Sequence, residues 1–483
     1  MSKDEKIASL KQTNTSLSEE NTQLKAQVAM FQNMLFGAKS EKRKYTDIPK
    51  NQLSIFEEEK QEESTSESTE ITVPAHKRKK KKPVRTALPD KLERVEEIIE
   101  PEHDLKGWRK VGEDITEVLE CEPARLYVRR IIRPRYVKEQ ENGDSVFSQS
   151  ALPSHLPFPK SIASASLAAQ MIISKFVDHI PIHRFIKQFE RQDVYLKNTT
   201  LIDLQKKVAD KLTPLFELLS QKIKKSNYLQ MDESTIKVMG TGKKGKAHQG
   251  YMWYYLDPKE KILSIHYANG RDRKYLKEHL GDFKGYAQTD GYKGYDYFEN
   301  TTAITHLNCW AHARRYFFKA YKGGYKPASE VVNLISKLYE LEKTFQPDTK
   351  AEEIQLEREK YATPIINKLF QWAKEQKVLP KTDIGVAITY FLNHEKGLRE
   401  YLKNGELLID NNPIENKIRP LAIGRKNYMF AGNEQGAAQI AMFYSFFATA
   451  KMHDVEPYQW LKNTLEIIDD YPINKLEELL PVK

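Results

Sequence analysis

Three acidic residues in polar, turn-rich surroundings are the chain's strongest candidates for chemistry: Asp232 in QMDEST, Asp290 in QTDGYKGY and Glu415 in IDNNPIENKIRP. Carboxylates brought to one place bind hard cations. Mg²⁺ takes oxygen ligands at about 2.0–2.1 Å and keeps several waters. Two such ions, roughly 3.5–4 Å apart, can activate an attacking oxygen and stabilise a leaving one in phosphodiester chemistry. Each residue also has a plain structural reading. Asp232 can start the ESTIK stretch at a strand end, and Asp290 can open the Asp-Gly turn. Glu415 follows Asn412 as an N-cap and Pro413 as the first helical residue, so it falls at N3, the capping-box position. From that segment alone, cap and metal ligand are both open to Glu415.

The run from Asn227 to about Arg315 must position the first two. NYLQMDESTIKVMG reads as a strand, TGKKGKAHQG as a turn, and YMWYYLD and KILSIHYA as two more strands around DPKE. RDRKYLKEHL is a short helix, GYAQTD a fourth strand, and AITHLNC a fifth leading into the helix WAHARRYFFKAY. This is the order of an RNase H-like mixed sheet. It places Asp232 on the first strand beside Asp290 at the end of the fourth, and neighbouring strands lie about 4.8 Å apart. The helix carrying Glu415 would bring the third carboxylate. Residues 327–399 are rich in helical patterns and read as an insertion before that helix.

Several other residues fit such a site. His312 and Arg315 lie three apart on one helix and share a face, suited to a phosphate or simply to solvent. Arg419, four residues after Glu415, can pair with it or bind a DNA backbone; Arg425 and Lys426 extend the basic surface. Cys309 reads as a small buried residue. Tyr292 and Tyr295 read as packing aromatics, with base stacking as the alternative.

The whole is expected to be multidomain α+β. Over 1–45, a heptad pattern puts Leu10, Leu17 and Leu24 at d and Asn14, Asn21 and Val28 at a, as in a short two-stranded coiled coil that would make a homodimer. An acidic, low-complexity stretch and the basic HKRKKKKP form a linker over 46–92. Arg78 and Lys80 there are expected to lie along phosphates. A β-ribbon is expected over 93–150, and a helix-turn-helix-like region over 151–224 has Thr199 or Thr200 capping its second helix. The RNase H-like core follows over 225–326, the helical insertion over 327–399, the Glu415 helix over 400–435 and a C-terminal helical region over 436–483. The formal net charge of +10 favours a polyanionic partner. Two distant cysteines, Cys121 and Cys309, suggest a reducing, cytoplasmic setting, and no apolar stretch is long enough for a membrane helix.

The trio MDEST, QTDGYKGY and DNNPIENKIRPLAIGRKNYMFAG, with LNCWAHARRYF between the second and third, resembles the DDE transposases of insertion sequence family 66. So do LFGAKSEK, GEDITEVLECEPARLYV, FVDHIPIHRFIKQFERQ and GAAQIAMFYSFFATAKMHDVEPYQWLKNTLE, which extend the resemblance over almost the whole chain. It implies a bacterial, nucleoid-associated enzyme that cuts DNA at element ends and joins the freed 3′-OH to target DNA. Asp232, Asp290 and Glu415 would be the catalytic triad holding two Mg²⁺ or Mn²⁺ ions, and accessory proteins of the same element are possible partners. The family usually carries a cysteine zinc ribbon. Here HDLKGW at 103–108 and YVKEQ at 136–140 stand where its cysteine pairs would be, so zinc is not expected. Two other readings compete. A tyrosine recombinase could use His312, Arg315 and Tyr339, and a coiled-coil DNA-binding protein derived from a transposase would need no catalysis.

Overall fold

The computed structural model describes residues 88–483 apart from 89, 91, 102–105, 107, 123–124, 140–144, 152–155, 159–160 and 241–245. The heptad residues Leu10, Asn14, Leu17, Asn21, Leu24 and Val28 lie outside the described residues, as do Arg78 and Lys80. What is described is a mixed α/β architecture with two mixed sheets and many helices.

The first sheet is built on one long strand. β1 (Arg94–Ile98) pairs parallel with β3 (Arg125–Glu139), while β2 (Arg109–Glu122) and β4 (Ser145–Gln149) pair antiparallel with it. The alternating basic residues of β3 are largely used across the sheet. Arg130 meets Glu96 at 2.9 Å and Arg129 meets Glu120 at 3.2 Å. Opposite charges facing each other on neighbouring strands stabilise the pairing.

Three helices follow: α1 (Ala165–Phe176), α2 (Ile182–Glu190) and α3 (Asn198–Lys224). The expected threonine cap is not made. Lys197 is the N-cap of α3, with no side-chain hydrogen bond, and the helix runs for 27 residues. Its length follows from an apolar stripe at helical spacing, Leu201, Leu204, Val208, Leu212, Leu215 and Leu219, all buried in the main core.

The second sheet has the order β7-β6-β5-β8-β9. β5 (Tyr228–Met239), β6 (Ala247–Asp257) and β7 (Ile262–Ala268) are antiparallel; β8 (Gly285–Thr289) and β9 (Ile304–Asn308) run parallel to β5. The parallel pairs need crossovers, which α4 (Arg273–Leu280) and the short 3₁₀ helix Lys293–Asn300 supply. α5 (Trp310–Lys322) follows β9.

The insertion comprises α6 (Ala328–Glu342), α7 (Ala351–Glu357), a π-helical turn at Arg358–Ala362, α8 (Thr363–Glu375), α9 (Asp383–Asn393) and α10 (Glu395–Glu400). It shares an aromatic core with α5, in which Phe370 and Phe391 stack at 4.1 Å. Arg358, 2% exposed, ties its ends together. The guanidinium donates to both Glu342 oxygens, at 2.9 and 2.7 Å, and to the carbonyls of Tyr401, Asn404 and Leu407.

α11 (Asn412–Tyr428), α12 (Glu434–Met452) and α13 (Pro457–Ile467) complete the chain's larger elements. The apolar run IAMFYSFFATA lies in α12 and is almost wholly buried against the second sheet. There Ser445 and Thr449 accept the outward N–H groups of Ile265 and Leu263, which closes the free edge of β7. Among the described residues no helix is long and apolar enough to cross a membrane.

Candidate active site

The β5–β8 register decides where the two aspartates stand. Tyr228 faces Tyr286 and Gln230 faces Gln288, so the same register extended by two residues sets Asp232 level with Asp290. Asp232 is not at a strand end, as the sequence suggested. β5 continues to Met239 because β6 pairs with it all the way, whereas β8 stops just before Asp290. Each aspartate spends one oxygen locally: Asp232 Oδ1 accepts from Glu233 N at 2.7 Å and Asp290 Oδ1 from Tyr292 N at 2.9 Å. The turn-opening role of Asp290 is therefore real, and it leaves the second oxygen available. Gly291 is needed there for space, since a Cβ would lie 2.2 Å from the Tyr390 ring.

Glu415 arrives on α11, but its capping-box role is not made. The N-cap is Asn411 rather than Asn412, which moves Glu415 one position deeper into the helix. Asn412 N donates to Asp410 Oδ1 at 3.0 Å, so the amide a capping glutamate would take is already satisfied. The Glu415 carboxylate instead faces α5, with His312 Nε2 at 3.7 Å and Arg315 Nη2 at 3.4 Å. Its Oε1 has no hydrogen-bond partner.

α11 is clamped along β5. Asn411 Nδ2 donates to Met231 O at 2.9 Å, Arg425 donates to Ser234 Oγ at 3.0 Å and to the Thr235 carbonyl, and Ala431 exchanges backbone hydrogen bonds with Lys237 and Met239. Beneath the aspartates lies a buried amide layer. Gln230 Nε2 donates to Asp410 O at 2.9 Å and Gln288 Nε2 to Leu408 O at 2.8 Å, so both strands grip the segment that delivers Glu415. The signal for these two was present, a Gln two residues before each Asp (QMD and QTD), and the period of two puts each pair on one sheet face.

Asp232 senses the other two carboxylates. Burial, then the charges of Asp290 and Glu415, push the Asp232 carboxyl up to about 8. His312 is held below its usual value, first by burial and then by the Arg315 charge, with Glu415 opposing. Arg271 partly offsets the negative field at Asp232 while pairing with Glu233, which also accepts from the Tyr295 hydroxyl. Arg271 and Glu233 were not singled out from the sequence, because their partners come from distant elements. Tyr295 is fully buried and Tyr292 packs its ring under Arg271, so both are packing aromatics.

A family model described as "Transposase IS66 family" matches residues 160–439. The chain belongs to the IS66 transposase family. Two further models match its flanks, "Transposase C of IS166 homeodomain" over 23–96 and "IS66 C-terminal element" over 445–482. It is similar to three uncharacterized proteins of Sinorhizobium fredii (strain NBRC 101917 / NGR234). The protein y4qI is 29% identical, covering 98% of this chain and 91% of its own; y4hP is 29% identical, with 83% and 77% covered; y4jD is 30% identical, with 82% and 81% covered. No solved structure matches.

In this IS66-family chain the other candidate residues divide. His312 and Arg315 stand at Glu415. Arg419 is exposed and lines a groove beside α11 rather than pairing with Glu415. Arg425 is not part of a free basic surface, since its guanidinium is used on β5; Lys426 is exposed. Cys309 is fully buried, its thiol pushed up to about 12 mainly by burial, and accepts from Asn411 N at 3.2 Å. Tyr339 is a poor nucleophile. Its hydroxyl donates to Asp410 at 2.8 Å, and burial and that carboxylate push its pKa up. As hard oxygen donors around an unpartnered Glu415 oxygen, Asp232, Asp290 and Glu415 suit a divalent cation chemically. Among the described residues, however, no three His, Cys, Asp or Glu side chains are close enough together to hold one. Asp290 and Glu415 are near enough for their charges to raise the Asp232 carboxyl, but the three are not at ligand distance of one cation.

Proposed function

We propose that this protein is an insertion-sequence DNA transposase with an RNase H-like core, in which Asp232, Asp290 and Glu415 hold two Mg²⁺ or Mn²⁺ ions. The supporting observation is that the three motif carboxylates lie on β5, just after β8 and on α11, within reach of one another's charge. When bound, the ions would polarise the scissile phosphate and lower the pKa of the attacking water or 3′-OH. The protein's own part is orientation. The Gln230–Gln288 layer and the Asn411 contact fix where α11 begins, and Arg425 fixes its course. His312 and Arg315 face the Glu415 carboxylate. Arg315, whose side chain is 61% exposed, can turn to a phosphate as the carboxylate swings toward the aspartates. Self-association through the N-terminal heptads, DNA contacts by the basic arm and help from accessory proteins belong to the same proposal.

The test is cleavage of an element-end oligonucleotide and joining of its 3′-OH to target DNA. Both are expected with Mg²⁺ or Mn²⁺ and neither in EDTA; full activity in EDTA sinks the metal-dependent reading.

A further inference from the structure

Where α1, α11, α12 and the turn into α13 meet, a groove of about 900 Å³ opens. Its floor is apolar, formed by Phe176, Tyr444 and Phe447 with Pro420 and Ile423 from α11. Ile423 is 44% exposed, an apolar side chain left facing solvent. Three cations line the same groove, Lys417, Arg419 and Lys451, and no carboxylate among the described residues pairs with them. Burial, then the nearby Lys451 charge, hold Lys417 below its usual value. Asp454 and Glu456 lie at the α13 end, where Glu456 is occupied in accepting from Tyr458 N and Gln459 N.

The groove adjoins the candidate active site. At 100° per residue, Arg419 lies only about 40° around α11 from Glu415, and Ile423, Asn416, Pro420 and Lys417 follow in order around the helix. A strand leaving the carboxylates therefore crosses Arg419 before reaching the apolar floor. A duplex could offer this groove only phosphates, because its bases are stacked inside. A single strand can give both an apolar base face and charged phosphates.

We infer that this groove takes an unpaired nucleotide of a single DNA strand, its base against Ile423, Pro420 and Phe447 and its flanking phosphates on Lys417 and Lys451. The inference rests on the transposase reading and adds a second DNA contact to it. The full-length chain in EDTA, where cleavage does not intrude, is titrated into labelled oligothymidine and into a duplex of equal length, with fluorescence anisotropy as readout. The Lys417→Gln/Lys451→Gln double variant and Ile423→Asp should each weaken single-strand binding at least fivefold and leave duplex binding within twofold. The double variant should also flatten the salt dependence by about 1.4 in log–log slope, roughly 0.7 per lost phosphate contact. Unchanged single-strand affinity overturns the inference, and so does equal weakening of both DNA forms. A change in self-association with DNA affinity intact also overturns it, by assigning the groove to protein. Should a variant melt early, photocrosslinking of 5-iodouracil DNA to the wild type decides: crosslinks on α11 and α12 groove residues support the site, and crosslinks confined elsewhere overturn it. Loss of this contact with Mg²⁺-dependent cleavage intact would leave the transposase reading standing. Retained binding without cleavage would count against that reading alone.

Discussion

Asp232 sits where ionisation is costly, buried and facing two further carboxylates. Its folded pKa, about 8, lies above the ordinary value of 3.8, so the fold binds the proton more tightly than the unfolded chain does. That contribution is fully present below about pH 3.8 and is lost as pH rises towards 8. Asp232→Asn should therefore stabilise the metal-free protein at pH 8, by on the order of 5 kcal/mol, while removing a proposed ligand. A thermal melt in EDTA checks this; an unchanged or lower Tm would mean the carboxylate is not strained by its neighbours. The same residue scale shows why Glu415 could not be read from its own segment. The sequence DNNPIE carries a capping pattern, yet Asn411 became the cap position and its side chain went to Met231, a contact across 180 positions of chain. For Gln230 and Gln288 the QMD and QTD spacing was visible but their burial was not: glutamine is mostly exposed in proteins, and only the paired strands reveal that both are fully buried.

At the scale of elements, the strands and helices around the aspartates were legible because their periodicities are strong and their turns carry Gly, Asp and Pro. Element boundaries set by tertiary contact were not legible. α3 begins at Asn198 without the threonine cap, and β5 runs on past Asp232 because β6 pairs with it to the end. The insertion has a structural task, to return the chain to β5 and β8 at Leu408–Asn411. Arg358 holds that return. Arg358→Ala would leave Glu342 half-buried and unpaired and three carbonyls without their donor. Breaking one side of a buried pair costs about 3–5 kcal/mol, and a denaturant midpoint shift of that size is expected. A shift under about 1 kcal/mol, the worth of an exposed pair, would show that the Arg358 contacts do not hold the insertion.

At the scale of the whole molecule, half-buried histidines at the second sheet must stay neutral. His266 and His279 stack at 4.7 Å between β7 and α4; burial above all lowers them to about 3 and about 4. Unfolded, both take a proton near pH 6.5, so stability is full above that value and falls as pH drops towards 4. The loss at pH 4 is on the order of 3 kcal/mol for each histidine. Replacing both with phenylalanine should flatten the decline between pH 6.5 and 4 in thermal melts, and an unchanged slope would place the acid sensitivity elsewhere. Family membership was legible in the motifs, and family models match residues 23–96, 160–439 and 445–482. The proposed gathering of three carboxylates from β5, the end of β8 and α11 depends on contacts between elements far apart in sequence. The most direct test of that gathering is single-turnover cleavage of an element-end oligonucleotide in Mg²⁺, comparing wild type with Asp232→Asn, Asp290→Asn and Glu415→Gln. Residues acting as one unit lose nearly everything singly, so each variant should fall by about 10³-fold or more, and a double variant little further. Any one of the three retaining cleavage within tenfold of wild type would contradict the account.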